Sequence, residues 1–113
     1  MSEKLLHLFV NKIKATALDS VEVTRHCLAS ARDRGIDVQQ ALDYFLNSEC
    51  EWNFSEEKGE EGKRIEVLKR LSKRRGLFGV FEANGKVYLI TLFKVNTRKQ
   101  QYSGVRISRE DLP

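Results

Sequence analysis

Proline, cysteine and histidine are scarce in this chain of 113 residues, which contains one Pro, two Cys and two His. The only proline is the last residue, Pro113, so no proline-rich linker divides the chain, and we expect a single domain over residues 1–113. Cys27 and Cys50 lack the Cys-x-x-Cys spacing, and a four-ligand zinc site would need both thiols and both histidines to converge. We therefore predict neither a metal nor a cofactor.

Long apolar runs are also missing, since no stretch approaches the roughly 18 residues that a membrane-spanning helix needs. The apolar N-terminal segment is interrupted by Glu3, Lys4, Lys12 and Lys14, which is typical of an amphipathic helix and unlike a signal peptide. Two unpaired thiols suit a reducing compartment. These features predict a cytoplasmic protein without membrane contact.

Charges of the two signs are divided along the chain. Residues 1–62 hold 7 Lys/Arg and 12 Asp/Glu, a balance of −5, whereas residues 63–113 hold 13 Lys/Arg and 4 Asp/Glu, a balance of +9. A basic half favours a ligand with a phosphate backbone, because each neutralised phosphate releases counterions. The alternative is a basic surface that contacts only solvent.

Apolar spacing predicts that the N-terminal 47 residues form three helices. Apolar positions three and four residues apart place the first helix over 3–18. The second runs from a Thr24 cap to a left-handed Gly35, and Asp37 caps the third.

In the middle of the chain, the sequence pattern predicts one strand and leaves a second segment ambiguous between helix and strand. Period-two alternation indicates a strand over residues 49–55. Residues 64–75, RIEVLKRLSKRR, are compatible with a strand, but the spacing of Ile65, Leu68 and Leu71 favours a helix.

Asn84 and Gly85 stand between two apolar runs, which predicts a β-hairpin with a two-residue type I′ turn. A short strand near residues 105–108 follows. The fold class expected is α+β, with N-terminal helices packed on a mainly antiparallel sheet that has a central β-hairpin. The turn predicts these cross-strand pairs: Phe81 with Tyr88, Gly79 with Ile90, and Leu77 with Leu92.

Three segments resemble the RelE-type toxin superfamily, in its MqsR/BrnT-like branch: VEVTRHCLASARDRGIDVQQALDYFLNSE, GKVYLITLFK and GVRISRE. The resemblance implies a RelE/MqsR-like fold and a bacterial endoribonuclease that cleaves mRNA without a metal. It also implies a cognate antitoxin protein that keeps the enzyme silent. The chain departs from the MqsR branch at the sheet tyrosine, near whose place Leu77 stands.

His26 is the first candidate for catalysis. RNA cleavage without a metal needs a base for the 2′-hydroxyl, an acid for the leaving oxygen and cations for the charged phosphorane. Histidine titrates close to neutral pH, and helical spacing aligns His26 with Ser30 and with Asp33 or Arg34. The alternative is that His26 only packs against the core or caps the helix.

Cations of the basic half supply the remaining candidates. We predict that Arg75, Lys94 and Arg106 act with His26 in catalysis, because arginine pairs can clamp a phosphate. Solvated side chains are the alternative for each cation. The predicted RNA-binding residues are Lys73, Arg74, Arg98, Lys99 and Tyr102.

Two other functions fit the same sequence. The basic half can belong to a non-catalytic module that binds RNA or the ribosome. The acidic stretch from Glu49 to Glu61 fits a protein-binding regulator or immunity protein that contacts a basic partner.

Overall fold

The computed structural model describes residues 3–56, 63–98 and 104–107. These residues form an α+β fold in which helices precede most of a six-stranded sheet, as the sequence predicts. The helices are α1 Glu3–Lys14, α2 Arg25–Asp33 and α3 Val38–Asn47, with a short 3-10 helix at Leu18–Ser20. The strands are β1 Glu22–Val23, β2 Cys50–Phe54, β3 Lys63–Arg70, β4 Gly76–Asn84, β5 Lys86–Val95 and β6 Val105–Ile107.

The strands lie in the order β1-β5-β4-β3-β2-β6. Four neighbouring pairs are antiparallel and only β1 runs parallel to β5, which confirms a mainly antiparallel sheet. Buried residues of the helices pack on one face, which we call the helix face. No described helix is placed on the other face, which we call the open face. Among the described residues, no helix combines the length and the apolar character needed to cross a lipid bilayer.

The predicted ends of α2 and α3 are confirmed by their hydrogen bonds. The Thr24 hydroxyl accepts from the Cys27 amide at 3.2 Å, and the Asp37 carboxylate accepts from the Gln40 amide at 3.1 Å. Gly35 has a φ of 67°, the left-handed conformation expected after a helix.

The first helix is shorter than predicted. It ends at Lys14 instead of continuing to Leu18. The Thr16 hydroxyl donates to the Lys12 carbonyl at 2.9 Å, and Ala17 is extended. A hydroxyl that bonds the preceding turn competes with helix propagation, which explains the early end.

The preference for a helix in segment 64–75 is wrong, because Lys63–Arg70 is strand β3. This strand lies inside the sheet, and its two faces are both partly apolar. Val67 packs on the helix face, while Leu68, buried as well, points to the open face. An interior strand with apolar residues on both faces does not show the alternation of period two that marks a half-buried strand. The spacing of Ile65, Leu68 and Leu71 therefore matched the pattern of a helix.

The hairpin is confirmed, but its predicted register is wrong. Asn84 pairs with Lys86, so Gly85 alone, with a φ of 64°, makes the turn. A β-bulge at Ile90 then shifts the ladder by another residue. The observed pairs are Phe81 with Leu89, Gly79 with Leu92, and Leu77 with Lys94.

The absence of a side chain at Gly79 lets α3 cross the sheet. Phe45 is fully buried above this glycine, and a Cβ built there would lie 2.8 Å from Phe45 Cε2. Phe45 also makes an edge-to-face contact with Phe81, with ring centroids 5.9 Å apart. Strand β4 therefore needs glycine at the point where α3 lies closest to it.

We expect Gly79→Ala to destabilise the fold by about 1–3 kcal/mol, because the added methyl overpacks a core in which Phe45 cannot move into solvent. Urea unfolding measures the loss. Phe45→Leu in the same chain makes room for the methyl, so the double variant should lose less stability than the sum of the two single losses. Strictly additive losses would contradict this packing.

Candidate nucleic-acid interface

Five of the predicted site residues gather at one end of the sheet. Lys73, Arg74 and Arg75 form the turn between β3 and β4, Lys94 is near the end of β5, and Arg98 follows that strand. All five side chains are exposed. We call this group the basic surface.

Hydrogen bonds within the β3–β4 turn hold its backbone in one conformation. The Leu71 amide donates to the Arg75 carbonyl at 2.9 Å. The Ser72 hydroxyl oxygen accepts from the amides of Arg74 and Arg75 at 3.3 and 3.1 Å. A serine that caps its own turn in this way orders the backbone that carries the three cations.

Thr97 joins this turn to the segment after β5. Its amide donates to the Arg74 carbonyl at 3.1 Å, and its hydroxyl donates to the Lys73 carbonyl at 3.0 Å. Thr97 is only 6% exposed. Its two bonds bring Arg98, the next residue, to the same end of the sheet as the turn.

The β4–β5 register decides which side of the sheet Lys94 occupies. Lys94 pairs with Leu77, and paired residues of an antiparallel ladder share a face. Leu77 belongs to the core on the helix face. Arg75 lies two residues before Leu77, so Arg75 and Lys94 extend from the same side and line one groove of about 730 Å³ together with Arg74.

Among the described residues, no carboxylate compensates the positive charge of the basic surface. None of its five cations lies within ion-pair distance of a carboxylate of the described residues. The two ion pairs found there that involve arginine use Arg64 and Arg70. Close like charges repel each other, so an anionic ligand that binds here removes an unfavourable interaction as well as forming a favourable one.

His26 lies in a smaller cleft between α2 and β5. The start of α2 is tied to this strand because the Thr24 amide donates to the Leu89 carbonyl at 3.1 Å. The cleft, of about 170 Å³, is lined by His26, Ser30, Arg34, Cys27 and residues 90–93. The predicted row of His26, Ser30 and a third residue therefore lines this cleft, and the third residue is Arg34 rather than Asp33.

Exposure separates His26 from the cysteine that follows it. His26 is exposed, so it does not pack in the core. Cys27 is 1% exposed and packs instead, and burial raises the pKa of its thiol. A thiol with a raised pKa stays protonated at neutral pH, so Cys27 is not an activated nucleophile beside His26.

The cleft and the basic surface both include residues of β5. Residues 90–93 of β5 line the cleft, and Lys94 of the basic surface is the next residue of that strand. The nine residues of α2 span about 14 Å at 1.5 Å each. The cleft and the basic surface are therefore neighbours along β5.

Arg106 lies elsewhere, which corrects its predicted place on this surface. It belongs to β6, four strand spacings from β5, which corresponds to about 19 Å. It pairs with Glu51 and lines an open-face pocket of about 210 Å³ with Glu51 and Arg70. The Arg70 Nε donates to the Glu51 carboxylate at 2.6 Å. Arg106 therefore cannot share one phosphate with Lys94.

Lys99 and Tyr102 lie outside the described residues. The sequence reasoning missed Ser72, Thr97 and the exposed Leu71 that lines the groove. A serine before Lys-Arg-Arg-Gly is typical of a side-chain-capped turn, so Ser72 had a readable signal. Thr97 and Leu71 had none, because their roles depend on contacts between the β3–β4 turn and the segment after β5.

Comparison with protein-family models, with curated proteins and with solved structures found no match. The resemblance to RelE-type toxins therefore depends on the three sequence segments alone.

We expect Thr97→Val to lower the free energy of unfolding by about 1 kcal/mol, since it removes the hydroxyl that donates to the Lys73 carbonyl. The loosened turn should also bind a polyanion less tightly at an unchanged net charge. Thr16→Val, which removes a hydroxyl bond of α1, is the control: it should affect stability but not binding. Calorimetry and heparin affinity measure the two effects, and equal binding by both variants would contradict a role for Thr97 in ordering the turn.

Proposed function

We propose that this protein is a metal-independent endoribonuclease that binds RNA on the basic surface and cleaves it at the His26 cleft. The observation that carries the proposal is the group of five exposed cations on one hydrogen-bonded turn and the adjoining strand end, with no carboxylate of the described residues paired to them. The dominant force in RNA binding is attraction of the phosphate backbone, which such a group supplies without sequence preference.

The cleft offers groups for proton transfer and for charge stabilisation, two requirements of RNA cleavage. His26 takes the proton from the 2′-hydroxyl or returns one to the leaving 5′-oxygen. Arg34 stabilises the charge of the phosphorane, and the Ser30 hydroxyl, between them on the helix, donates to a phosphate oxygen. RNA held on the basic surface passes its neighbouring phosphates to this cleft, so binding and reaction use one path.

The resemblance to the RelE-type toxins supports a biological role for this chemistry. Cleavage of mRNA stops growth, so a cell that makes the enzyme needs a cognate antitoxin protein that neutralises it. The non-catalytic alternative is a module that binds RNA or the ribosome through the same cations. The two functions differ in one result, the appearance of RNA fragments.

The first test of the proposal concerns RNA binding. We expect Arg74→Ala/Arg75→Ala/Lys94→Ala to weaken RNA binding about 10- to 100-fold in low salt, because three phosphate contacts disappear. The slope of log affinity against log salt should become shallower by about 2, at roughly 0.7 for each lost contact with a single strand. Fluorescence anisotropy across a salt series measures both quantities.

The matched control, Lys4→Ala/Lys12→Ala/Lys86→Ala, removes three exposed cations that lie outside the basic surface. Both triple variants lower the net charge from +4 to +1. If net charge alone governs RNA binding, the two variants will bind equally, and the basic surface will lose its assigned role.

The second test concerns catalysis. We expect His26→Gln to keep the melting temperature, because the side chain is exposed, and to lose about 10²- to 10⁴-fold in cleavage rate, the usual contribution of general acid–base catalysis. His7→Gln on α1 is the control and should retain full activity. Gel analysis of labelled RNA measures cleavage, and growth after induction measures toxicity. A His26→Gln protein that cleaves at the wild-type rate would exclude the cleft; RNA that is bound and never cut would favour the non-catalytic module.

A further inference from the structure

The groove within the basic surface has an apolar floor. Leu71, Leu77 and Val95 line it together with the cations Arg74, Arg75 and Lys94, and Asn96 completes the wall. Leu71 is 46% exposed, although three cations line the same groove. Phosphate contacts alone make no use of such a floor.

The chemistry of the groove defines what it can bind. A ligand must present anionic oxygens to the cations and a planar apolar surface to Leu71 and Leu77. A nucleotide with an unpaired base has both parts, and its size suits a groove of about 730 Å³. The bases of duplex RNA are stacked and paired inside the helix, so a duplex offers mainly phosphates and 2′-hydroxyls.

The polar groups of the groove fit a base as well. Guanidinium planes such as those of Arg74 and Arg75 stack on aromatic rings. The Asn96 side-chain oxygen accepts from the Arg98 amide at 3.0 Å, which leaves its amide NH₂ group for the edge of a base. The bonds of Ser72 and Thr97 hold the turn in place, so little order has to be gained on binding.

We infer that this groove is a base-binding subsite and that the RNA it selects is single-stranded. The inference rests on the proposed function, and adds to it that Leu71 contacts an unpaired base while the cations around it hold the flanking phosphates. The positive charge around the apolar floor, which has no carboxylate against it among the described residues, favours this occupant. A protein segment that is both apolar and acidic is the competing occupant, and the experiment separates the two.

The experiment compares two forms of one labelled oligonucleotide by fluorescence anisotropy. The oligonucleotide is 2′-O-methyl RNA, which cannot be cleaved through its 2′-hydroxyl, and it is presented single-stranded or annealed to its complement. We expect the wild-type protein to bind the single strand about 10-fold more tightly than the duplex at the same salt concentration.

Variants at Leu71 test the floor directly. Leu71→Ser should lower affinity for the single strand about fivefold and leave the duplex and inorganic polyphosphate unaffected, since neither presents a free base. Leu71→Phe should raise single-strand affinity, because an aromatic ring stacks on a base. Leu8→Ser is the control, since Leu8 is also exposed, at 62%, and lies on α1.

Each outcome has a separate meaning. Equal affinity for single strand and duplex, with unchanged binding by Leu71→Ser, would overturn the inference and leave the proposed function in place, with the groove open to an acidic protein segment. Failure to bind either form of RNA would overturn both proposals. The wild-type comparison needs no variant, so a Leu71 variant that misfolds does not affect its result.

Discussion

The pairing of β4 with β5 is the constraint on which the rest of the molecule depends. A single turn residue, Gly85, and a bulge at Ile90 set the register of this ladder. The register places Phe81 opposite Leu89 on the helix face, so the core closes beneath α3. It also places Lys94 beside Leu77, at the mouth of the groove. A shift of one residue would send each of these side chains to the other face.

The basic surface depends on that ladder for its geometry and on local bonds for its rigidity. Like charges on one turn oppose each other, and nothing apolar buries their side chains. The backbone is instead held by the Ser72 hydroxyl and by Thr97, which join the β3–β4 turn to the segment after β5. Because the backbone of the turn is already held, less backbone entropy is lost when an anion binds, which favours affinity.

The pairing of charges differs between the open face and the end of the sheet that carries the basic surface. On the open face, Arg64 pairs with Glu82 and Arg70 with Glu51, so two of its arginines are neutralised within the chain. The half-buried rings of Phe78 and Phe93 lie on that face with centroids 5.0 Å apart. The end that carries the basic surface has no such compensation among the described residues. Attraction of a phosphate backbone is therefore concentrated at one end of the sheet.

The sequence by itself determined the features that depend on neighbouring residues. Thr24, Gly35 and Asp37 act within one turn of chain, so the bounds of α2 and the start of α3 were predictable. The Asn84-Gly85 pair predicted a hairpin for the same reason. The alignment of His26 with Ser30 and Arg34 follows from the helical repeat and was also predictable.

Tertiary structure decided everything that depends on contacts between distant segments. Whether segment 64–75 became helix or strand depended on neighbours β2 and β4, since its own apolar pattern fits both. The bulge at Ile90 has no local signal, and it helped to displace Leu92 from its expected partner Leu77. Arg106 was separated from Lys94 because β6 pairs at the opposite edge of the sheet, and sequence spacing carries no information about strand order.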